Sequence, residues 1–218
     1  MKRAILLLMV ILVTVFCAES CSADIKVNIK GEKPTIVELF RAYAEWRAGK
    51  PANDESKELT NGAYNYIWLG KPAHKDGKNV FDKKVVDIGG GYLSYTGGGT
   101  PGAILECCFW NTADRKNIIF AANFTNENFG SAHTYRLDFF LYDNTTGTMK
   151  KIDPPFNIRY ESQQWNDRFA STEMRCVAFR LPRKGKDIKA KITGHNEQGE
   201  TIDREELLKW NGRGFSVK

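Results

Sequence analysis

Cys107 and Cys108 sit side by side in the run Glu106-Cys-Cys-Phe-Trp110, and three histidines, His74, His133 and His195, could be set against them. A thiol hydrolase needs a thiolate in contact with an imidazole. Reactive cysteines occupy helix N-termini or electropositive clefts, where the thiolate is favoured. These two fall in the middle of an alternating aromatic run, so a packing role is the expectation. Each histidine stands in a polar, loop-like stretch with no partner fixed by spacing. No Cys-x-x-Cys or paired-histidine spacing occurs, and neither a metal centre nor a cofactor is expected.

Carboxylates such as Glu106, Asp138, Asp143 and Glu173 are embedded in no motif. A glycosidase pair would have to flank a cleft at ~5–9.5 Å, which order along the chain does not reveal. The glycine runs Gly89–Gly91 and Gly97–Gly102 lack the following helix and the lysine of a phosphate loop, and read as turns and strand bulges. No catalytic residue is assigned. A hydrolase whose site is assembled from sequence-distant residues remains the alternative to a binding protein.

Binding chemistry is better represented. Trp110, Trp165 and Trp210, with Tyr142 and Tyr160, could form a platform on which sugar rings stack through their apolar faces. The competing reading is core, the usual place of aromatics on alternating strands. Arg180, Arg183, Lys184, Lys186, Lys189 and Lys191 make the one dense basic patch, with Lys189 and Lys191 on one face of a strand. That face either meets an anionic glycan or lipid, or guards a strand edge against pairing; the guard reading is favoured.

The first residues speak to location. Lys2 and Arg3 precede an apolar run from Ala4 to Phe16, followed at once by the small residues Ala18, Ser20, Ser22 and Ala23. The run is shorter than the ~20 residues a bilayer-spanning helix needs. Residues 1–23 therefore read as an export signal, leaving 24–218 as one exported domain that is periplasmic, outer-membrane-attached or secreted. Two processing routes compete: cleavage after Ala23, or acylation of Cys21, which would give the protein a lipid anchor as its only membrane attachment. With the signal removed, the 32 basic and 26 acidic residues of the whole chain become 30 and 25, a net charge of +5. So mild a charge on an exported chain argues against a nucleic-acid partner. After such a cut only Cys107, Cys108 and Cys176 remain. One bridge from Cys176 to Cys107 or Cys108, or none, fits a domain of this size.

The elements that must position these groups are an N-terminal helix and a long series of strands. Pro34 to Arg47 has helical periodicity, with Phe40 directed inward and Glu38 and Arg41 outward. Ala52 to Leu69 is a weaker second helix, interrupted by Gly62, and Gly70 to Lys84 reads as a loop. From Val85 the period changes to two. Strands are expected at 92–96, 103–110, 117–124, 135–142 and 149–152, joined by short turns as in an antiparallel meander. Leu105, Cys107 and Phe109 share one face, and Glu106, Cys108 and Trp110 the other, the less buried one. Likewise Leu137, Phe139 and Leu141 oppose Arg136, Asp138, Phe140 and Tyr142. The second face is amphipathic, and the N-terminal helix is a candidate to cover part of it. Pro154 and Pro155 mark a sub-boundary near 153–156, after which strands are expected at 176–181, 187–193, 201–210 and 215–217. The expected class is α+β: one helix or two packed on a mainly antiparallel meander, with further C-terminal strands.

The stretches Glu106–Lys116 (ECCFWNTADRK) and Phe139–Ile152 (FFLYDNTTGTMKKI) resemble a loose group of small, uncharacterised exported proteins of Bacteroidetes-type bacteria. Leu181–Ile192 and Leu207–Phe215 are similar in style, though the doubled cysteine is atypical. The resemblance implies export and a fold style, not an activity. The expectation is a non-catalytic binding or accessory protein, with a glycan or an envelope component as its partner.

Overall fold

A computed structural model describes residues 24–50, 55–71, 82–97, 102–128, 131–156, 175–195 and 200–217. The chain is α+β. Its elements are β1 (Ile25–Lys26), α1 (Ile36–Ala48), α2 (Glu55–Ala63), β2 (Lys83–Asp87), β3 (Tyr92–Thr96), β4 (Ala103–Asn111), β5 (Asn117–Asn128), β6 (Ser131–Asp143) and β7 (Thr148–Ile152), followed by β8 (Arg175–Arg180), β9 (Ile188–His195), β10 (Thr201–Trp210) and β11 (Phe215–Val217). Two antiparallel sheets result. The seven-stranded one runs β1-β7-β6-β5-β4-β3-β2, and the four-stranded one runs β11-β10-β9-β8.

Helix α1 begins where a capping box satisfies the amides that a helix start leaves free. The Glu38 N–H donates to Thr35 Oγ1 at 3.4 Å, and the Thr35 N–H donates back to Glu38 Oε2 at 2.8 Å. Glu38 Oε1 also accepts from the Lys30 N–H. Burial pushes the Glu38 pKa up, but these hydrogen bonds outweigh it and hold the group below its ordinary value. Glu38 is thus buried, not turned to water as its place in the helical period implied. Pro34 lies just before the cap, outside the first turn. The second helix forms despite Gly62, whose missing side chain admits Tyr95: a Cβ there would stand 3.1 Å from the Tyr95 hydroxyl. Its last turn widens to a π-helical one over Tyr64–Trp68. Lys83 and Lys84, expected in a loop, begin the edge strand β2, where their charges discourage further pairing.

The large sheet is covered on both sides. The helices lie against the face of Leu105, Cys107, Phe120, Phe124, Phe140 and Tyr142, with Phe40 and Tyr43 fully buried between. The opposite face, carrying Cys108, Trp110, Ile119 and Phe139, is covered by the small sheet through Phe179, Ile188, Leu208 and Phe215. For β6 the helix does cover the amphipathic face of Asp138, Phe140 and Tyr142. For β4 the expectation inverts, since the small sheet and not the helix covers Glu106, Cys108 and Trp110. The segment at 153–156 joins the layers. Phe156 forms a bridge to Phe215 and stacks on Phe179 at 6.0 Å.

Side chains of the large sheet also satisfy the free edge of β8. The Phe179 N–H donates to Thr134 Oγ1 at 2.8 Å, while Asn123 Nδ2 donates to Phe179 O at 2.9 Å. Glu106 accepts from Tyr92 Oη, Asn123 Nδ2 and the Leu181 N–H, so its buried carboxylate is well supplied with donors. On the helix side, Asp138 accepts from Tyr43 Oη at 3.1 Å and pairs with Arg136 at 2.5 Å and Lys151 at 2.9 Å. Burial raises its pKa, but the two cations outweigh that and keep it below the usual value.

Phe40→Ala opens a cavity at the helix–sheet seam and should cost about 3–5 kcal/mol, read as a lower urea midpoint. Asp138 has a depressed folded pKa. Its contribution is therefore full above the unfolded value of ~3.9 and lost as pH falls through the folded one. Asp138→Asn should be less stable than wild type by about 1–3 kcal/mol at pH 7, with the gap shrinking at pH 2.5. A gap of the same size at both values would mean that the charge of Asp138 contributes nothing.

Candidate functional site

The residues singled out by type do not gather into one site. Trp110 and Tyr142 are both buried, on opposite faces of the large sheet. They therefore cannot share a ligand platform. Trp110 is core between the sheets, its indole N–H donating to the Lys186 carbonyl at 2.8 Å. Trp210 packs beside it at 6.1 Å but remains half-exposed. Trp165, Tyr160, Glu173 and His74 lie outside the described residues, as does Cys21.

Lys189 and Lys191 are exposed, but they face acids on the neighbouring strand. Lys189 pairs with Glu205 at 3.0 Å and Lys191 with Asp203 at 3.5 Å. The strand that looked like a basic face is one half of a charge ladder. Nor does it guard an edge, because β9 is hydrogen-bonded to β8 on one side and β10 on the other. The edge-guard reading therefore fails for β9, and the charges of Lys189 and Lys191 are matched within the sheet.

The two central cysteines are free thiols and both are buried, so neither is bridged to Cys176. Cys107 faces the helices, whereas β8 lies on the other side of the sheet, and that geometry separates the two residues. The side chain of Cys176 is outside the described residues. Cys108, expected on the more open face, is enclosed by the small sheet, and its thiol lies 3.4 Å from the Pro182 carbonyl. Desolvation raises the Cys107 pKa well above normal and pushes Cys108 up to about 12. Both stay protonated at neutral pH, which removes the nucleophile a thiol hydrolase needs. His133 stacks edge-on against Tyr135 at 4.2 Å, and His195 ends β9 in solvent. Asp143 caps the β6–β7 turn through the Thr145 N–H. Gly89–Gly91 form the turn between β2 and β3. Among the described residues no cluster of His, Cys, Asp and Glu could hold a metal.

What does gather is a set of turns at one end of the sandwich. In an antiparallel meander alternate turns fall at the same end, which brings the β4–β5 turn beside the β6–β7 turn. The β8–β9 loop, the β10–β11 turn and the approach to α1 close around them. They enclose an open groove of about 700 Å³. Three cations line it, Lys33, Arg115 and Lys186. Asn111, Thr112, Asn144 and Asn211 add polar groups, and Phe109 and Trp210 add aromatic surface. Among the described residues that line it, none is acidic.

The rim is held by its own hydrogen bonds. Asn144 Nδ2 donates to the Arg115 carbonyl at 2.9 Å, and the Ala113 N–H donates to the Gly212 carbonyl at 2.9 Å. Trp110 fixes the Lys186 backbone, as above. Arg115 adopts a left-handed conformation at φ 59°, an uncommon one for a side-chain-bearing residue. Gly212, at φ 92°, lies so close to Ala113 that a Cβ would approach within 3.0 Å. The acids that flank these cations are engaged in hydrogen bonds at the rim: Asp114 Oδ1 accepts from Thr112 Oγ1 and the Lys116 N–H, and Asp187 Oδ1 from the Trp210 N–H. Lys33, Arg115 and Lys186 make no ion pair with any described residue.

No protein-family model, curated protein or solved structure matches the chain. Of the residues chosen by type, only Trp210 reaches the groove, together with Lys186 from the basic patch. Arg115, Asn144 and Asn211 lie in turns that join strands, and the order of the hairpins places the first two of these turns at one end.

Both core thiols should resist a neutral disulfide reagent in the folded protein and react on unfolding. Fast labelling of Cys108 in the native state would show that the seam between the sheets opens.

Proposed function

We propose that this is an exported, non-catalytic binding protein whose ligand site is the cationic groove at the turn end of the sandwich. One observation carries the reading: three cations without acidic partners line a concave, hydrogen-bonded rim beside an aromatic ring. A cation surrounded by water and left unpaired is common on any surface. Three converging on one hollow from separate segments concentrate positive potential there, which favours an anionic ligand. The protonated thiols, and the engagement of Glu106 and Asp138 in buried networks, support binding over hydrolysis.

Export is supported by the order of charge, apolar run and small residues over 1–23. Among the described residues no helix is long and apolar enough to cross a membrane. Acylation at Cys21 would anchor the protein, and cleavage after Ala23 would release it; intact mass of membrane and soluble fractions distinguishes the two.

Citrate, a compact polyanion, serves as a first probe. It should give a saturable change in tryptophan fluorescence with the wild-type protein. Arg115→Gln with Lys186→Gln should weaken that binding by about tenfold or more, because each lost charge-assisted hydrogen bond is worth roughly 1.5–3 kcal/mol. Both positions are on the surface, so the thermal midpoint should hardly move. An unsaturable response, or equal binding by wild type and variant, overturns the groove as an anion site.

A further inference from the structure

We infer that the ligand of this groove is an acidic saccharide, its carboxylate held by the cations and a sugar ring lying on Trp210; this rests on the groove being an anion site. A bare anion needs donors alone, yet the groove offers more than that. Asn111 is exposed with its amide unengaged, Asn144 keeps its Oδ1 and Asn211 its Nδ2 without a hydrogen bond to any described residue. Amide groups supply both donors and acceptors, which is what neighbouring hydroxyls require, each being donor and acceptor at once. A phosphate or a simple carboxylate has no use for the acceptors.

The aromatic wall points the same way. One side of Trp210 is committed to the core, where it meets Trp110 and lies 5.0 Å from Phe215. The ring is thereby fixed in orientation while its remaining surface lines the groove. A fixed indole gives flat apolar contact at little entropic cost, and the axial C–H groups of a pyranose present a matching apolar face. The guanidinium of Arg115 is a planar fork suited to a planar carboxylate. Because the turns are already tied to one another, binding does not have to order them first.

The test is isothermal titration of the mature protein with three probes: trigalacturonate, its methyl ester and citrate. The inference expects trigalacturonate to bind at least tenfold more tightly than either of the others. It also expects Asn111→Ala to weaken trigalacturonate but not citrate, and Arg115→Gln to weaken both. Trp210→Phe should reduce trigalacturonate affinity alone; its thermal midpoint, measured beside it, shows whether the fold is kept. Equal affinity for citrate and trigalacturonate overturns the saccharide and leaves the anion site standing. Equal affinity for the acid and its ester overturns recognition of the carboxylate. No binding of any probe overturns both readings together.

Discussion

The central strands β4, β5 and β6 are buried on both faces, and most of what is unusual in this chain answers to that constraint. A sheet covered by helices on one side and a second sheet on the other has no wet face on which to place polar residues. Those that occur must be paired inside. Glu106, Asn123 and Thr134 do so between the sheets: Asn123 and Thr134 bind the backbone of Phe179 on the free edge of β8, and Glu106 accepts from the Leu181 N–H. An exposed edge of unpaired peptide groups invites association; here Phe179 on that edge is turned inward, and its N–H and C=O are met by side chains. The same network specifies how the small sheet sits. A polar set that matches only one docking position costs more to misplace than an apolar surface does.

On the helix side the equivalent device is Asp138 with Tyr43, Arg136 and Lys151. The carboxylate reaches the helix α1 through Tyr43 and the sheet margin through its cations. The capping box at Thr35 and Glu38 begins the helix immediately before its buried stripe, which opens at Ile36, so the cap and the seam reinforce each other. Between them these contacts hold the start of α1, and with it Lys33, beside the turns that form the groove.

That position gives the groove its character. Its walls are turns, the segments that tolerate variation without disturbing a core. Yet they are tied to the core through Trp110, whose indole holds the Lys186 backbone, and through Trp210, whose ring packs on Phe215. A binding surface built this way combines the chemistry of loops with the rigidity of the sandwich. The thiols and the lysine ladder of β9, which look more like chemistry on paper, are spent on packing and on cross-strand pairing.

Amino-acid order alone dictates most of the succession of elements, although not the short strand β1 or the edge strand β2. Helical spacing around Phe40 and the change of period near Val85 mark the helix and the hairpins, because local periodicity depends only on backbone geometry. It also determined which residues of β4 and β6 share a face, since successive strand residues point to opposite sides. It did not determine what lies over each face. When both faces are buried, alternation no longer distinguishes inside from outside, and the face of Cys108 and Trp110 is as closed as the other. Nor could spacing along one strand show that Lys189 and Lys191 meet Glu205 and Asp203, which are brought opposite them by register across a hairpin. The groove belonged wholly to the tertiary structure. Lys33, Arg115, Asn144, Lys186 and Asn211 are scattered over nearly the whole chain, and only the docking of two sheets and a helix brings their turns to one end.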